Sequence, residues 1–441
     1  MNQGEGPATS DHIMADVANH DVRPPIGATA HCDLRRSSLA GWLMRSVLHR
    51  LGDPAIQIVL WNGETICTTR QTPLASVSLA DVTTLIRLFA HPDLAFGEAY
   101  TTGKIAVSGS LTQLVEAYYR GESTVEPRNP LGRLKSIFRL RGRRKSLAQS
   151  RDDIHHHYDI GNDFYALWLG VTMAYTCAYF TCDAATLDQA QVAKMHHVSR
   201  KLRLRPGDHV VEAGCGWGSL ALHMARHYGV KVRAFNISRE QVDFARLRAK
   251  QENLAGQVEF IEDDYRNIPS LSGKYDAFVS VGMLEHVNTA EYSEFGSIIS
   301  RSLYRSGRGL IHSIGNNRPA RLSPWIAKHI FPGAHAPCLA EVMRIFESGD
   351  MSVLDVENLR PHYARTLQCW RRHFEQSAEA IRQMYDEKFV RMWRLYLAGS
   401  EAAFNSNELQ LFQVLFAPRT NMNVPWTRAD LYDAPAGHGG L

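Results

Sequence analysis

The chain has 441 residues, of which 44% are hydrophobic and 21% charged, and its formal net charge is +4. Such a chain is typically two or three globular domains, and this composition excludes a disulfide-stapled miniprotein, a fibrous chain and a disordered one. The longest nearly uncharged apolar run spans residues 167–180, which is shorter than the roughly 18 residues that a membrane span needs. The first 25 residues carry no secretory signal pattern, so we expect a cytoplasmic protein.

The N-terminal part predicts a disordered lead-in followed by a small α+β domain. Residues 1–32 are polar and punctuated by Gly and Pro, which is typical of disorder. Residues 33–121 begin with apolar residues at helical spacing, followed by a hairpin that turns at Asn62-Gly63. Further on, the pattern predicts helices over 81–90 and 110–119 and a short strand between them.

Residues 122–151 are predicted to be a basic linker. The segment 133–145 carries seven Lys or Arg residues and no acid, interleaved with Ile and Leu. Such a cluster suits an anionic membrane surface or a nucleic acid backbone. A solvated interdomain linker is the alternative interpretation of the same charges.

Residues 152–420 predict an α/β domain with a parallel sheet, and residues 421–441 a C-terminal tail. Strand and helix patterns alternate, which is typical of βαβ units. Five strands are predicted, at 209–214, 231–236, 257–264, 275–284 and 307–315. A later apolar run at 409–417 predicts a final edge strand. The mostly helical stretches 316–352 and 371–405 are expected to cover the carboxyl edge of the sheet.

The sequence VVEAGCGWG places Gly214, Gly216 and Gly218 at a strand-to-helix turn, where the backbone of α/β proteins approaches a ligand. The GxGxG spacing and the absence of an acid after the second strand disfavour NAD and favour another nucleoside-bearing ligand. Asp263 and Asp264, at the end of the third strand, are placed to accept hydrogen bonds from an adenine amine. The alternative is that these acids only cap the following turn.

Two ionisable residues follow successive strands. Glu285 lies just past the fourth strand and His312 at the end of the fifth. The carboxyl ends of parallel strands meet at one edge of the sheet, so we expect both side chains in one pocket. Burying two ionisable groups that had neither a partner nor a functional role would cost several kcal/mol. A metal site is not predicted, because the consecutive histidines 155–157 cannot all face one ion in regular structure.

Taken in order, the motifs HYDIGNDFYALWL, TMAYTCAYF, VVEAGCGWGSLA, NISREQ, VSVGMLEHV and LIHSIG resemble the cyclopropane-fatty-acyl-phospholipid synthase family. The resemblance covers residues 150–420. It implies a class I, Rossmann-like methyltransferase fold with a mostly parallel seven-stranded sheet. The small domain resembles the N-terminal domain of the longer bacterial synthases, which implies phospholipid acyl chains as the substrate.

The resemblance also implies two sets of site residues. S-adenosylmethionine would lie against Tyr175, Thr176, Glu212, Gly214, Cys215, Gly216, Gly218, Asn236, Ile237, Gln241, Asp264 and Tyr265. A bicarbonate ion that acts as the base would lie against Cys177, Glu285, His312, Ile314 and Tyr363. Thr176 stands where the family usually has Ser, Asn236 where it has Thr, and Ser400 where several relatives carry Cys, so no thiol at that position takes part here.

The implied reaction transfers a methyl group to a cis alkene, and a base then removes a proton from the new methyl group so that a cyclopropane ring closes. The intermediate cation needs dry surroundings and aromatic faces, for which Tyr175, Tyr179, Phe180 and Tyr363 are candidates. The implied partner is a phospholipid bilayer, with peripheral association at the inner face of the membrane and no nucleic acid. The two-domain layout is compatible with a homodimer. Open alternatives are methyl or methylene branching of acyl chains, methylation of small amines, nucleic-acid methylation and a noncatalytic lipid-binding protein.

Overall fold

The computed structural model describes residues 38–124, 160–271 and 275–432. Two sheets organise these residues, a small one near the N-terminus and a large one in the second half of the chain. The predicted basic cluster 133–145 and the histidines 155–157 lie outside the described residues. Among the described helices, none combines the length and apolar character that crossing a bilayer requires.

The N-terminal unit is a four-stranded sheet with helices on it. Its strand order is β2-β1-β3-β4, with β1 and β3 parallel and the other two pairs antiparallel. The elements are α1 (Leu39–Arg50), β1 (Ile56–Val59), β2 (Thr65–Ile66), β3 (Ala75–Leu79), α2 (Val82–Ala90), α3 (Pro92–Thr101), β4 (Ile105–Gly109) and α4 (Leu111–Thr124).

Local signals explain most of this unit. The predicted hairpin forms, and Asp81 caps helix α2 because its Oδ1 accepts a hydrogen bond from the backbone N–H of Thr84 at 2.7 Å. The sequence interpretation missed β3, although its side chains alternate between buried and half-buried, and it missed α3. The predicted domain end at Gly121 falls inside α4. The division into domains stays a prediction.

The second sheet has seven strands in the order β10-β11-β9-β8-β5-β6-β7. All neighbouring pairs are parallel except the two that β11 makes with β9 and β10. This confirms the predicted α/β class with a mostly parallel seven-stranded sheet. The strands are β5 (His209–Ala213), β6 (Lys231–Asn236), β7 (Val258–Glu262), β8 (Tyr275–Val281), β9 (Leu303–Gly315), β10 (Met351–Asn358) and β11 (Gln410–Pro418).

Helices pack on both faces of this sheet and over its carboxyl edge. They are α5 (Asn162–Leu169), α6 (Leu187–Lys201), α7 (Ser219–Tyr228), α8 (Arg239–Gln251), α9 (Tyr292–Ser302), α10 (Pro324–His329), α11 (Leu339–Ser348), α12 (Arg360–Gln376), α13 (Ala378–Met384), α14 (Glu387–Asn405) and α15 (Ala429–Tyr432). Short 3-10 turns span Tyr265–Leu271, Leu284–His286 and Thr289–Glu291.

The predicted edge strand at 409–417 is not at the edge. β11 lies between β9 and β10, and its mostly buried side chains fit an interior position, where both faces of a strand are covered. The edge is β10, which sequence reasoning assigned partly to a helical stretch. Its side chains are half-buried or exposed, so it lacks the apolar run that marks the inner strands.

Helix α14 joins the N-terminal unit to the large sheet's cover. Arg391 on this helix is 8% exposed, and its guanidinium donates hydrogen bonds to the backbone oxygens of Tyr100 at 2.6 Å and Ile105 at 2.7 Å. One hydrophobic cluster runs continuously from the small sheet into the aromatic helices around α14. The two parts of the chain therefore share a core.

We predict that Arg391→Met lowers the free energy of unfolding by about 2–4 kcal/mol, because two buried carbonyl groups lose a charged donor. The matched control is Arg382→Met, which removes an Arg from exposed ion pairs on the neighbouring helix α13 and should cost less than about 1 kcal/mol. Urea unfolding of both variants measures the difference. Equal losses of unfolding free energy in the two variants would show that the hydrogen bonds from Arg391 do not stabilise the fold.

Candidate active site

A cleft opens at the carboxyl edge of the large sheet, beside the glycine-rich turn that follows β5. Its walls come from the segment before α6, from α6, from the ends of β5 and β6 and from the loop after β8. The lining residues are Met173, Ala174, Tyr175, Thr176, Lys194, Glu212, Gly214, Cys215, Gly216, Trp217, Ser219, Leu220, Asn236, Gln241, Val281, Gly282, Met283 and His286. Most of the predicted cofactor residues are therefore brought together.

The three glycines of the turn have positive φ angles of +82°, +53° and +82°, which disfavour any residue with a side chain. A Cβ at Gly214 would lie 2.7 Å from the Met283 side chain, and one at Gly218 would lie 2.5 Å from Phe260. A Cβ at Gly216 would meet nothing within 4 Å among the described residues. Gly214 and Gly218 thus permit close packing, whereas the backbone at Gly216 stays open to the cleft.

Two ionisable side chains of opposite sign lie buried in the cleft wall. Glu212 is 2% and Lys194 is 3% exposed. Burial raises the pKa of Glu212 to about 8 and lowers the pKa of Lys194 to about 8, and each charge partly offsets the shift of the other. Lys194 Nζ donates to Thr176 Oγ1 at 2.9 Å, whereas Glu212 Oε2 has no hydrogen-bond partner within the described residues. A wall with both a carboxyl and an amino group can pair with the ammonium and the carboxylate of a zwitterionic ligand.

Two side chains at the turn after β6, Asn236 and Gln241, are hydrogen-bonded to each other. Asn236 Nδ2 donates to Gln241 Oε1 at 2.7 Å and to the Gly216 oxygen at 3.3 Å. Both side chains line the cleft, but Ile237 does not. Gln241 Nε2 is buried and has no partner in the described part of the chain, so it is a donor available to a ligand.

Asp264 and Tyr265 lie outside the lining of this cleft. The Asp264 carboxylate accepts hydrogen bonds from Arg266 Nε at 2.8 Å and from the Arg266 backbone N–H at 2.9 Å, and Asp263 Oδ1 accepts from Asn267 Nδ2 at 2.8 Å. The two acids therefore cap the following turn. Contact of Asp264 or Tyr265 with a cofactor stays a prediction.

Glu285 and Ile314 are in direct contact, as expected for one pocket. Glu285 lies in the 3-10 turn after β8, and its Oε1 accepts a hydrogen bond from the Ile314 N–H at 2.6 Å. The other oxygen, Oε2, is shielded from solvent and has no partner among the residues that the structure describes. Burial raises the pKa of the Glu285 carboxyl to about 7. The group is thus poised between its acid and base forms near neutral pH.

His312 lies two residues before Ile314 on β9 and is 1% exposed. Its Nδ1 is 3.0 Å from Gln413 Nε2, and its Nε2 is buried without a partner in the described ranges. Burial lowers the pKa of His312 to about 3, helped by the positive charges of Lys194 and Lys201. The ring is therefore neutral at physiological pH.

Cys177 and Tyr363 belong to the same hydrophobic cluster against which Ile314 packs. The Cys177 thiol donates to the Ala178 oxygen at 3.1 Å, and burial raises its pKa, so it is a neutral thiol rather than a nucleophile. Tyr363 is 8% exposed, and its ring centroid lies 4.7 Å from that of Phe404. Contact of either residue with an anion stays a prediction.

An aromatic cluster covers this edge of the sheet. The Tyr175 hydroxyl lies 2.7 Å from the Tyr396 hydroxyl, and the Tyr175 ring lies 5.3 Å from both Trp168 and Trp370. Tyr363 also meets Trp370, at 6.0 Å. Two of the four aromatic residues proposed from sequence are thus in one cluster.

The other two, Tyr179 and Phe180, lie in the same wider hydrophobic cluster, but their ring contacts are with other side chains. Tyr179 is stacked between His197 and His362, and Arg365 lies over the Phe180 ring at 4.4 Å.

Two family models match the chain. The model described as mycolic acid cyclopropane synthetase matches residues 145–414, more than half of the chain, and a domain of unknown function matches residues 43–129. The chain belongs to the mycolic acid cyclopropane synthetase family. It is therefore an S-adenosylmethionine-dependent methyltransferase of the cyclopropane synthase type, as the motifs predicted.

Individual relatives agree with this assignment. A probable fatty acid methyltransferase of Pseudomonas putida is 35% identical over 365 residues, which cover 79% of this chain and 89% of the relative. The cyclopropane-fatty-acyl-phospholipid synthase of Escherichia coli (strain K12) is 36% identical, covering 64% of this chain and 70% of the relative. The crystal structure of mycolic acid cyclopropane synthase CmaA1 complexed with SAH and CTAB is 27% identical, with a TM-score of 0.57 over 60% of this chain and 97% of that chain.

The sequence analysis missed several residues of this candidate site. Lys194 lies between Ala193 and Met195 in the sequence, and a cation between apolar neighbours could have indicated a buried lysine. Gln413 was hidden in the apolar run of β11, and only the cross-strand register places it at His312. Trp168, Trp370 and Tyr396 occur in aromatic-rich segments whose mutual contacts the sequence does not specify.

We predict that Glu285→Gln stabilises the protein at pH 8 but not at pH 5. The raised pKa of about 7 means that the folded protein keeps a proton that the unfolded chain, with a pKa of 4.5, releases as the pH rises. The contribution of the Glu285 carboxyl to the free energy of unfolding is therefore fully present below pH 4.5, and it is lost as the pH rises to about 7. The Gln variant keeps an acceptor for the Ile314 N–H and should gain about 1–3 kcal/mol at pH 8.

Urea unfolding at both pH values measures this gain. Glu240→Gln, on the exposed first turn of α8, is the control and should change little at either pH. A gain for Glu285→Gln that is the same at pH 5 and pH 8 would contradict the assigned ionisation.

Proposed function

We propose that this enzyme transfers a methyl group from S-adenosylmethionine to the cis double bond of unsaturated phospholipid acyl chains and then closes a cyclopropane ring. The observation that carries the proposal is a pair of buried atoms, Glu285 Oε2 and His312 Nε2, that have no hydrogen-bond partner among the described residues and lie at adjacent strand ends beneath an aromatic cover. Ring closure needs proton removal in a dry place, and this arrangement provides ionisable groups there.

The cleft fits S-adenosylmethionine, which supplies an electrophilic methyl group on a sulfonium. Its amino acid end carries an ammonium and a carboxylate, and the cleft wall offers the Glu212 carboxyl and the Lys194 ammonium. The open backbone at Gly216 provides room for the nucleoside end, and Gln241 Nε2, which has no partner in the described part of the chain, provides a donor. A related solved structure is described as a complex with SAH, the demethylated form of this donor.

Glu285 Oε2 and His312 Nε2 fit a bicarbonate ion, which would supply a small base. Such an ion has an O–H that needs an acceptor and oxygens that need donors. Glu285 Oε2 is an acceptor without a partner in the described ranges, and the neutral His312 ring has one nitrogen free for a hydrogen bond. The raised pKa of Glu285 allows this carboxyl to take up a proton near neutral pH. Glu285 would therefore hold the proton that leaves the substrate, and His312 would orient the ion.

The aromatic cluster would shield the cation formed when the alkene attacks the methyl group. Tyr175 lines the cofactor cleft and also touches Trp168 and Trp370, so aromatic faces extend from the methyl donor toward Tyr363. Their negative π faces stabilise a positive charge, and their packing excludes water that would otherwise trap it.

Peripheral association with a bilayer is supported by an exposed apolar face on α2. Val82, Ile86 and Phe89 share one side of this helix and are 49%, 62% and 44% exposed. The basic segment 133–145 adds seven cations that would be attracted to anionic lipid. A homodimer and a position at the inner face of the membrane stay predictions.

We predict that Ile86→Ser combined with Phe89→Ser weakens sedimentation with anionic phospholipid vesicles at least about fivefold, because the loss of buried apolar area costs about 1 kcal/mol or more. Leu247→Ser, at an equally exposed residue on α8, is the matched control. Replacing Arg141, Arg143, Arg144 and Lys145 by neutral residues should weaken the same binding at low salt. Unchanged vesicle binding of both variants, or comparable binding to DNA, would contradict the membrane proposal.

The activity itself is tested by mass spectrometry of fatty acids after incubation with S-adenosylmethionine and vesicles of cis-monounsaturated phospholipid. We expect a gain of one CH₂ and a product that resists hydrogenation. Glu285→Gln should reduce this turnover by about 100-fold or more while cofactor binding is retained, because the variant cannot take up a proton.

The same gain of one CH₂ with an alkene remaining would instead show methylene branching, and a gain of one CH₂ plus two hydrogens without an alkene would show methyl branching by reduction of the cation. The probable fatty acid methyltransferase among the relatives makes branching the second candidate. No gain with intact cofactor binding would contradict a lipid acceptor.

A further inference from the structure

Gln413 lies directly opposite His312 in the large sheet. The antiparallel register of β9 and β11 pairs the two residues, so their side chains share one face. Gln413 is 0% and His312 is 1% exposed. The amide nitrogen Nε2 of Gln413 lies 3.0 Å from the ring nitrogen Nδ1 of His312. Water therefore does not compete for this hydrogen bond.

The contact selects one tautomer of the ring. An amide nitrogen only donates, so Nδ1 of His312 must accept, and the single proton of the neutral ring then lies on Nε2. Nε2 is the buried ring atom that has no partner in the part of the chain that the structure describes. The ring thus presents an N–H, not a lone pair, to whatever binds there.

The surroundings keep the ring neutral. On the next strand, β10, Glu357 is the cross-strand neighbour of Gln413. However, Glu357 Oε2 lies 2.6 Å from Lys201 Nζ and 2.7 Å from His197 Nε2, so this carboxylate is paired with those two side chains. His312 therefore has an amide as its hydrogen-bonded neighbour where many histidines have an acid. The positive charges of Lys194 and Lys201 further oppose protonation.

We propose that Gln413 is a positioning residue that fixes His312 as the Nε2–H tautomer, so that His312 donates a hydrogen bond into the site and is not its base. The consequence for the chemistry rests on the proposed function. There, His312 would hold an oxygen of the anion, and proton uptake would fall to Glu285, whose Oε2 is the acceptor without a partner in the described ranges.

The tautomer is tested by ¹⁵N NMR of the full-length protein labelled at its histidine side chains, because protonated and unprotonated ring nitrogens have well-separated shifts. The His312 signals are assigned by their loss in His312→Gln. In the wild type at pH 7.5 we expect a protonated Nε2 and a hydrogen-bonded, unprotonated Nδ1. A protonated Nδ1 would overturn the proposal without any variant at position 413.

The role of Gln413 is tested by Gln413→Leu, which removes the donor and keeps a buried side chain of similar size. We expect the Nδ1 signal to move to the shift of a nitrogen without a hydrogen bond. Gln410→Leu is the matched control, since Gln410 is also buried on β11 but is bonded to Asn358 and Asn407, and it should leave the His312 signals in place. An unchanged Nδ1 signal in Gln413→Leu would overturn the proposal.

Turnover on cis-monounsaturated vesicles gives the catalytic readout. We expect Gln413→Leu to lower kcat about tenfold or more while KM for S-adenosylmethionine stays within about twofold, because the variant affects the base site and not the cofactor cleft. A shifted Nδ1 signal with unchanged kcat would overturn the positioning role. The NMR measurements need no lipid, so failure of the proposed lipid chemistry with the expected tautomer would refute the proposed function alone.

Discussion

The removal of ionisable groups from water at the carboxyl edge of the large sheet is the constraint on which the site depends. Glu212, Lys194 and His312 are each no more than 3% exposed, and the Glu285 carboxyl is shielded as well. Burial costs several kcal/mol for a charge without a partner. It therefore raises the pKa of the two carboxyls and lowers the pKa of Lys194 and His312, which favours the neutral form of each group. The same desolvation makes Glu285 able to exchange a proton near neutral pH and holds His312 neutral.

The fold keeps these groups together through backbone contacts between strand ends. The Gly282 N–H donates to the His312 oxygen at 2.9 Å, and the Ile314 N–H donates to Glu285. These hydrogen bonds hold the loop after β8 against the end of β9, so Glu285 and His312 stay at the same strand edge. The aromatic helices then close the edge and share a core with the N-terminal unit, so the part of the chain proposed to touch the bilayer is packed against the part that performs the chemistry.

The sequence predicted the elements whose signals are local. Short apolar runs separated by helical patterns marked the five parallel strands, and Glu285 and His312 were placed at one edge because consecutive parallel strands end there. The position of β11, the existence of β10 and the partner of His312 depend on pairing between segments some 50 to 100 residues apart. The burial of Lys194 and the hydrogen bonds that Arg266 donates to Asp264 depend on how a helix or turn is rotated, which composition and spacing do not specify.

Ring closure requires that a base in this site removes a proton from the transferred methyl group, and S-adenosylmethionine with a trideuterated methyl group reports on that step. Mass spectrometry of the modified acyl chain counts the deuterium atoms that remain. We predict that two deuterium atoms are retained and one is lost, because the methyl carbon is deprotonated as the ring closes. Retention of all three would show that the transferred methyl group is never deprotonated and would rule out ring closure.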